Sequence, residues 1–316
     1  MRHHRFVAAV VLVTGLLAGC AELADRPLPS PVAPRQAISL STPEPRHVAD
    51  RQRPQPLTAT VEPVPTKLPT PAFSESFTYG RSFAGRPLVA YRLGHGPIAR
   101  ALIGGIHGGY EWNTPTLMSK TLDYVLTSPG LIPDELTLYI IPLANPDGAA
   151  AGADRLQGRL NGNGVDLNRN WDYHWQMTAT HGTRPVFAGV FAFSEPETVA
   201  LRDFMLDRNV SAVIFYHSAA AKVFSGVGSD TSKTVELAQR MAAETGYRYA
   251  PEGIPGKITT GNSIDWLTTH GITAVEIELT THEDIDWERN LRGVLAFLKW
   301  DLSEISIDRI DWIDFK

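Results

Sequence analysis

Two segments of the sequence combine side chains that bind metal ions and transfer protons. A glycine-rich stretch carries His107 and, four positions later, Glu111. An imidazole and a carboxylate this close together are ligands that zinc accepts. Further along the chain, Asp166, Asn168 and Arg169 place an acid, an amide and a guanidinium within four positions. The pattern predicts a metal site with polar side chains beside it.

Further candidates lie towards the C-terminus. His217 ends an apolar run, and Glu276 and Glu278 alternate with apolar residues in another. The single cysteine, Cys20, excludes a disulfide framework and a cysteine-based zinc site. Any bound metal must therefore rest on histidine, aspartate and glutamate.

The composition is that of an ordinary globular protein. The chain has 316 residues, of which 43% are hydrophobic and 20% charged, and its net charge is -5. That length is enough for one large domain or two small ones. The chain lacks the basic excess that a nucleic-acid partner would require.

The first nineteen residues have the features of a lipoprotein signal peptide. A short basic head precedes the apolar run 6–17, which is too short to cross a bilayer and is typical of a secretory signal. The run ends in Leu17, Ala18 and Gly19 before Cys20, which resembles a bacterial lipobox. We expect removal of residues 1–19, lipidation of the Cys20 thiol and a membrane-anchored protein outside the cytoplasm. The alternative is an ordinary signal peptide in which Cys20 is incidental.

Residues 20–72 are predicted to link this anchor to the folded domain. Twelve of the fifty-two residues from 21 to 72 are proline, and none is Phe, Trp or Tyr. Proline at this density favours an extended chain, and without aromatic side chains there is no core to collapse around. The segment is therefore predicted to be a semi-rigid, disordered tether.

Strand and helix patterns alternate through residues 73–302, the predicted folded domain. Strands are predicted at 77–80, 87–91, 101–103, 136–141, 212–216 and 272–279, several of them apolar on both faces. Helices are predicted at 114–126, 195–207, 231–245, 263–270 and 284–302. Ser194 and Glu197 are expected to form a capping box at the second helix. The fold class is therefore α/β, a three-layer sandwich with a mixed, mostly parallel central sheet flanked by helices.

In combination and in order, these motifs resemble those of the carboxypeptidase A-type zinc metallopeptidases. The similarity covers roughly residues 77–300. It is carried by His107 with Glu111, residues 145–148, residues 166–170, residues 194–197, His217, residues 263–266 and Glu278 with Leu279. The resemblance implies one zinc ion per chain, held by His107, Glu111 and His217 with water at the fourth position.

The spacing of the first two ligands departs from the family. Its histidine and glutamate are usually three positions apart, whereas His107 and Glu111 are four apart. The extra residue falls among Gly108, Gly109 and Tyr110, where glycine allows the backbone to bulge at little cost.

The resemblance also assigns the polar residues around the ligands. Asp166 matches the carboxylate that hydrogen-bonds the far nitrogen of the first zinc histidine. Asn168 and Arg169 match the pair that holds the free carboxylate of the substrate. Arg159 matches the arginine that stabilises the oxyanion of the scissile carbonyl, with Arg155 as the alternative.

The general base implied by the resemblance is Glu278, which precedes a leucine as the family's glutamate does. One family residue is missing. The position at which animal members carry a mobile tyrosine holds Lys257, which affects the expected handling of substrate more than the chemistry.

Two residues give opposite indications about the terminal side chain of the substrate. Glu276 and Glu278 are two apart on a predicted strand, so both face the site, where the family more often has a small hydroxyl residue at the first position. A buried carboxylate is costly unless a cation meets it, which favours a substrate ending in Lys, Arg or a diamino acid. Ile264 is neutral where basic-specific animal members carry an aspartate, which favours an apolar end. We expect a cationic end; the alternative is that Glu276 pairs with an arginine or lysine of the protein.

Taken together, the residues and the resemblance predict an exported, membrane-tethered zinc carboxypeptidase. It would remove the C-terminal residue of a peptide by attack of zinc-activated water. Amidase action on the stem peptides of murein and N-acyl amino acid deacylation are the enzymatic alternatives. An inactive binding domain is the alternative outside enzymes, and the complete set of ligands, base and arginines argues against it. No role is predicted for the tail 303–316.

Overall fold

The structure is a computed structural model that describes residues 74–128, 130–253 and 259–302. The predicted signal peptide, Cys20, the proline-rich tether, Lys257 and the tail 303–316 lie outside these residues. What the sequence predicts for them stays a prediction. In the described ranges, no helix is long and apolar enough to cross a membrane.

The described residues form ten strands. In chain order they are β1 Ser74–Arg81, β2 Pro87–Gly94, β3 Ile98–Ile103, β4 Leu136–Ile141, β5 Thr178–His181, β6 Arg184–Phe187, β7 Val210–Ser218, β8 Lys222–Ser225, β9 Arg248–Tyr249 and β10 Thr273–Leu279. Eight of them form one sheet in the order β1-β2-β4-β3-β7-β10-β8-β9, and β5 and β6 pair separately. The pairs β4/β3, β3/β7 and β7/β10 at the centre are parallel, whereas β1/β2, β2/β4 and β10/β8 are antiparallel.

Helices cover both faces of the eight-stranded sheet. They are α1 Asn113–Leu126, α2 Pro146–Ala151, α3 Pro196–Asp207, α4 Ser232–Thr245, α5 Ser263–Thr269 and α6 Trp287–Lys299. Apolar side chains of α1, α4 and α6 share one buried cluster with the sheet, and those of α3 and α5 share another. The predicted three-layer α/β sandwich with a mixed, mostly parallel sheet is confirmed.

Alternating side chains of β7 pack against the helix layers on the two faces of the sheet. Ile214 and Tyr216 belong to the cluster with α1, α4 and α6, whereas Val213 and Phe215 belong to the cluster with α3 and α5. His217 continues the second set, because successive side chains of a strand point to opposite faces. The same alternation places Glu276 and Glu278 of β10 on the face of α3 and α5.

The strand order reverses beside β3. The chain passes from β3 through α1 to β4 on one side of β3, and β7 lies on its other side. In open α/β sheets, such a reversal leaves a crevice at the carboxyl ends of the strands, where ligands bind. His107 follows the end of β3, and His217 and Glu278 lie at the ends of β7 and β10.

Asp147, in the first turn of α2, fastens the β1–β2 hairpin to the domain. Its carboxylate accepts hydrogen bonds from Ser82 Oγ at 2.7 Å, from Ala84 N at 2.9 Å and from Arg86 Nη1 at 2.7 Å. Burial alone would raise the pKa of Asp147, but these donors hold it below the ordinary value. The hairpin is therefore attached by an ionised side chain.

The start of α3 differs from the predicted capping box. The helix begins at Pro196 with Glu195 at the N-cap position, and no side chain caps it. Ser194 Oγ instead donates to Glu195 Oε1 at 2.7 Å, and Glu197 Oε1 accepts a hydrogen bond from Phe83 N at 2.9 Å. The capping-box prediction is wrong, because no side chain forms a cap hydrogen bond at the start of this helix.

Candidate metal centre

Side chains from two adjacent strand ends converge on one point. His107, Glu111 and His217 each offer a ligand atom, and these atoms lie within 4.8 Å of one another. His107 Nδ1 is 2.7 Å from Glu111 Oε1 and 3.2 Å from His217 Nδ1. All three residues are buried. Two imidazole nitrogens and a carboxylate in this arrangement are the donor set of a three-ligand zinc site, so the residues present fit that metal.

The turn after β3 accommodates the four-residue spacing. Gly108 adopts a φ of +46°, and a Cβ atom there would lie 2.6 Å from Ala149 N. At Gly109 a Cβ atom would lie 2.3 Å from the carbonyl oxygen of Gly152. Only glycine allows the turn to approach α2 this closely. With this turn, Glu111 reaches both histidines despite the additional residue.

Asp166 contacts both a histidine and an arginine of this group. Its Oδ1 is 3.4 Å from His107 Nε2, and its Oδ2 accepts a hydrogen bond from Arg159 Nε at 2.8 Å. Arg159 Nη1 lies 3.0 Å from His107 Nδ1 and 3.3 Å from Glu111 Oε1. Arg155, the alternative to Arg159, is exposed. Of the two arginines, Arg159 is the one beside the ligand atoms.

These buried charges shift one another's ionisation. Burial opposes a charge on Glu111, yet the adjacent His107 and His217 hold its pKa well below the usual value. Burial also opposes a charge on Asp166, whereas Arg159 and His107 hold the pKa of that carboxyl well below its usual range. Both carboxylates are therefore held as anions, the form in which they bind a cation or an N–H group.

Glu278 lies across the sheet ladder from His217. In the parallel pair of β10 and β7, the Cα atoms of the two residues are register partners. Glu278 Oε2 is buried and has no hydrogen-bond partner among the described residues. Burial, together with the Glu276 and Glu111 carboxylates, raises the pKa of Glu278. This side chain therefore accepts a proton more readily than an ordinary glutamate.

Glu276 and Ile264 occupy different surroundings. Glu276 Oε2 is 3.5 Å from His217 Nε2, and its side chain is 16% exposed. Its close ionic partner is thus a histidine and not the arginine or lysine considered from the sequence, although Arg169 also acts on it electrostatically. Ile264 is buried on α5 in the apolar cluster that contains Phe215.

Asn168 and Arg169 lie in a short 3-10 turn beside the ligands. Asn168 Oδ1 accepts a hydrogen bond from Ser263 N at 2.9 Å, and its Nδ2 is 3.5 Å from His217 Nε2. Arg169 is half-buried, and its Nε donates to the carbonyl oxygen of Thr180 at 3.2 Å. The amide is therefore beside the ligand His217, and the guanidinium is close enough to Asp166 and Glu111 for their charges to act on it.

A group of aromatic and imidazole rings beside the ligands was not predicted. The Tyr110 ring is 5.7 Å from that of His181 and 4.6 Å from that of His282. Burial, assisted by the charge of Arg159, lowers the pKa of His181 to about 3, so this ring is neutral. Residues 178–187 consist of two short strand-like stretches separated by a turn with a glycine, a pattern that predicts a β-hairpin. This pattern could have placed His181 beside the turn.

The chain resembles a family of known proteins. A family model described as zinc carboxypeptidase matches residues 66–295. Zinc carboxypeptidase A 1 of Anopheles gambiae is 29% identical over 231 residues, which make up 64% of this chain and 53% of that protein. Murein peptide amidase A of Escherichia coli is 27% identical over 233 residues, which make up 70% of this chain and 88% of that protein.

The fold is shared with a solved relative. Bovine thrombin-activatable fibrinolysis inhibitor, in complex with tick carboxypeptidase inhibitor, superposes with a TM-score of 0.63 at 20% identity, over 74% of this chain and 91% of that chain. The chain spans about half the length of several curated carboxypeptidases that it matches. The family model nevertheless covers most of the sequence, including every proposed ligand. The chain therefore belongs to the zinc carboxypeptidase family.

Proposed function

We propose that the protein hydrolyses the C-terminal peptide bond of peptides outside the cytoplasm. The observation that carries the hydrolytic part of this proposal is the position of Arg159, 3.0 Å from His107 and 3.3 Å from Glu111. A ligand set alone would fit many metalloproteins. A guanidinium fixed beside it supplies positive charge where the oxygen of an attacked carbonyl becomes negative.

His107 and His217, through Nδ1, and Glu111, through its carboxylate, would hold the zinc ion. When bound, zinc supplies the Lewis acidity that polarises a carbonyl and makes water nucleophilic near neutral pH. Arg159 would stabilise the negative charge that develops on the carbonyl oxygen, held in place by Asp166.

Glu278 is the proposed general base. It would take a proton from the attacking water and deliver it to the leaving amine. Two features support this role: its Oε2 has no hydrogen-bond partner in the described part of the chain, and its pKa is raised, so that the side chain can hold the proton between the two transfers. Asn168 and Arg169 are the proposed clamp on the terminal carboxylate of the substrate, a task suited to a planar guanidinium.

Murein peptide amidase activity is the second candidate. The chain spans 88% of the length of the Escherichia coli murein peptide amidase, against 53% of the Anopheles gambiae carboxypeptidase. The two reactions need the same ligands and base, and they differ in which bond of the substrate lies at the metal centre and is cleaved. The choice therefore depends on the substrate pocket and not on the metal centre.

Both candidates can be tested on one set of substrates. The zinc-loaded protein is incubated with peptides ending in Lys, Phe or Glu and with a γ-D-glutamyl-diamino acid muropeptide, and the products are read by mass spectrometry. We expect the wild type to remove one C-terminal residue from these peptides, and His107→Ala to remove none. Cleavage of the muropeptide alone would replace the carboxypeptidase proposal with the amidase. A preference for Phe that is the same in Glu276→Thr would contradict the expected cationic end.

A further inference from the structure

Each proposed histidine ligand has a carboxylate close to its far nitrogen. Asp166 Oδ1 is 3.4 Å from His107 Nε2, and Glu276 Oε2 is 3.5 Å from His217 Nε2. The family resemblance implies the first of these pairs. The second pair comes from a glutamate at a position where the family more often has a small hydroxyl residue.

The orientation of His217 requires an acceptor at Nε2. Its Nδ1 faces the other ligand atoms, 3.2 Å from Glu111 Oε2. An imidazole that uses the Nδ1 lone pair for a metal carries its proton on Nε2, which is then a hydrogen-bond donor. An acceptor beside Nε2 would therefore fix both the tautomer and the direction of the ring.

The neighbours of Nε2 differ in what they can accept. Asn168 Nδ2, at 3.5 Å, is itself a donor, and Asn168 Oδ1 is occupied by the backbone N–H of Ser263 at 2.9 Å. Glu276 Oε2, at the same distance of 3.5 Å, is an acceptor. Among these contacts, the carboxylate is the group whose chemistry matches a protonated Nε2.

We propose that Glu276 is a positioning residue that orients His217 and strengthens it as a ligand, so that both histidines of the centre are backed by carboxylates. The inference rests on the ligand set of the proposed function. Glu276 and His217 lie on adjacent strands of the central sheet, whose backbone hydrogen bonds keep their separation fixed. Supports of this kind on rigid elements hold metal ligands in their working geometry.

Zinc affinity tests this role without relying on turnover. The dissociation constant of the metal-free full-length protein is measured by competition with a chromophoric chelator, for Glu276→Gln and Glu276→Leu. We expect Glu276→Leu to weaken zinc binding by about 10- to 100-fold, the effect usual for residues that support a ligand. Glu276→Gln should lose less, because its amide oxygen still accepts a hydrogen bond. Glu288→Gln, which neutralises an exposed acid of α6, is the matched control and should bind as the wild type does.

A double-mutant cycle separates this role from a general effect of charge. In a His217→Ala background, Glu276→Leu should cause no further loss of zinc affinity, because the side chain would act through that imidazole. An equal loss in both backgrounds, or wild-type affinity in Glu276→Leu, would overturn the inference. So would a changed preference for Lys-ending peptides at unchanged zinc affinity, which would make Glu276 a reader of the substrate. Full zinc binding by His217→Ala would instead contradict the ligand set of the proposed function.

Discussion

Asp166 is buried and Glu278 is half-buried in the same site, yet their neighbours give the two carboxylates opposite properties. Arg159 donates to Asp166 at 2.8 Å, and its charge, together with that of His107, keeps the pKa of Asp166 low. Glu278 has no donor for Oε2 among the described residues, and burial with two further carboxylates raises its pKa. Environments that separate the pKa values of two carboxylates let them take different roles. Asp166 suits a permanent anchor, and Glu278 suits the transfer of a proton.

The role of Glu278 leads to a test at the scale of one residue. Glu278→Gln keeps the shape of the side chain but removes its capacity to accept a proton. We expect zinc content to stay at that of the wild type and kcat to fall about a hundredfold or more, the contribution of general acid–base catalysis. Metal analysis and steady-state kinetics on the same preparations check this. If Glu276→Gln shows this pattern and Glu278→Gln does not, the base has been assigned two residues too far along β10.

At the scale of the elements, the sequence predicted the helices and strands that have a strong local hydrophobic pattern. The strand 136–141 has its predicted bounds, because a continuous apolar run is a strong local signal. The helix predicted at 231–245 runs Ser232–Thr245, so its end is as predicted: its C-cap is Gly246, whose φ is +70°. The strands β5, β6, β8 and β9 have four residues or fewer and were not predicted. Such short strands form through pairing with distant segments, which a local pattern does not contain.

In the candidate site, too, features with a local sequence signal were predicted and contacts between distant segments were not. The ligands, Asp166 and Glu278 were named from motif order. The contact of Glu276 with His217 could not be predicted in this way, because it joins two strands whose register is set by the whole sheet. The group formed by Tyr110, His181 and His282 was missed for the same reason. Sequence motifs therefore identified residues that lie together in the structure, but not the contacts between them.

The attachment of the β1–β2 hairpin gives a prediction at this scale. The donors around Asp147 depress its folded-state pKa, so the carboxylate stabilises the fold above its unfolded pKa, and this contribution disappears as the pH falls through the folded value. We expect Asp147→Asn to lower the free energy of unfolding by about 1–3 kcal/mol at pH 7, the range for hydrogen bonds to a charged group. Denaturant unfolding should show that the difference shrinks below about pH 4, near the ordinary pKa of an aspartate. Asp123→Asn, an exposed aspartate of α1, is the control. A difference that persists unchanged at pH 3 would contradict this account.

At the scale of the whole molecule, the sequence predicts an anchor, a spacer and a hydrolytic domain joined in one chain. The spacer would let a domain fixed to a membrane reach substrates that do not diffuse, such as the peptides of a cell wall. A proline-rich sequence would suit this role, because proline at high density favours an extended chain.

The anchor can be tested through Cys20. Cys20→Ala removes the thiol that would carry the lipid, so we expect the variant to leave the membrane fraction or to accumulate as an unprocessed precursor. Fractionation of cells with immunoblotting of the full chain measures both outcomes, and incorporation of a labelled fatty acid gives an independent readout. Equal membrane retention of fully processed wild-type and variant protein would rule the lipid anchor out.

The register that pairs Glu278 with His217 has a consequence for how this family changes over time. Neighbouring strands are held about 4.8 Å apart by backbone hydrogen bonds, so the distance between the proposed base and the third ligand does not depend on any loop. Loops such as the β5–β6 hairpin tolerate insertion and replacement far better than central strands do. Natural selection can therefore exchange the walls of the pocket while the hydrolytic centre stays intact. In this way one sheet can be common to proteins such as zinc carboxypeptidase A 1 and murein peptide amidase A, both of which this chain resembles.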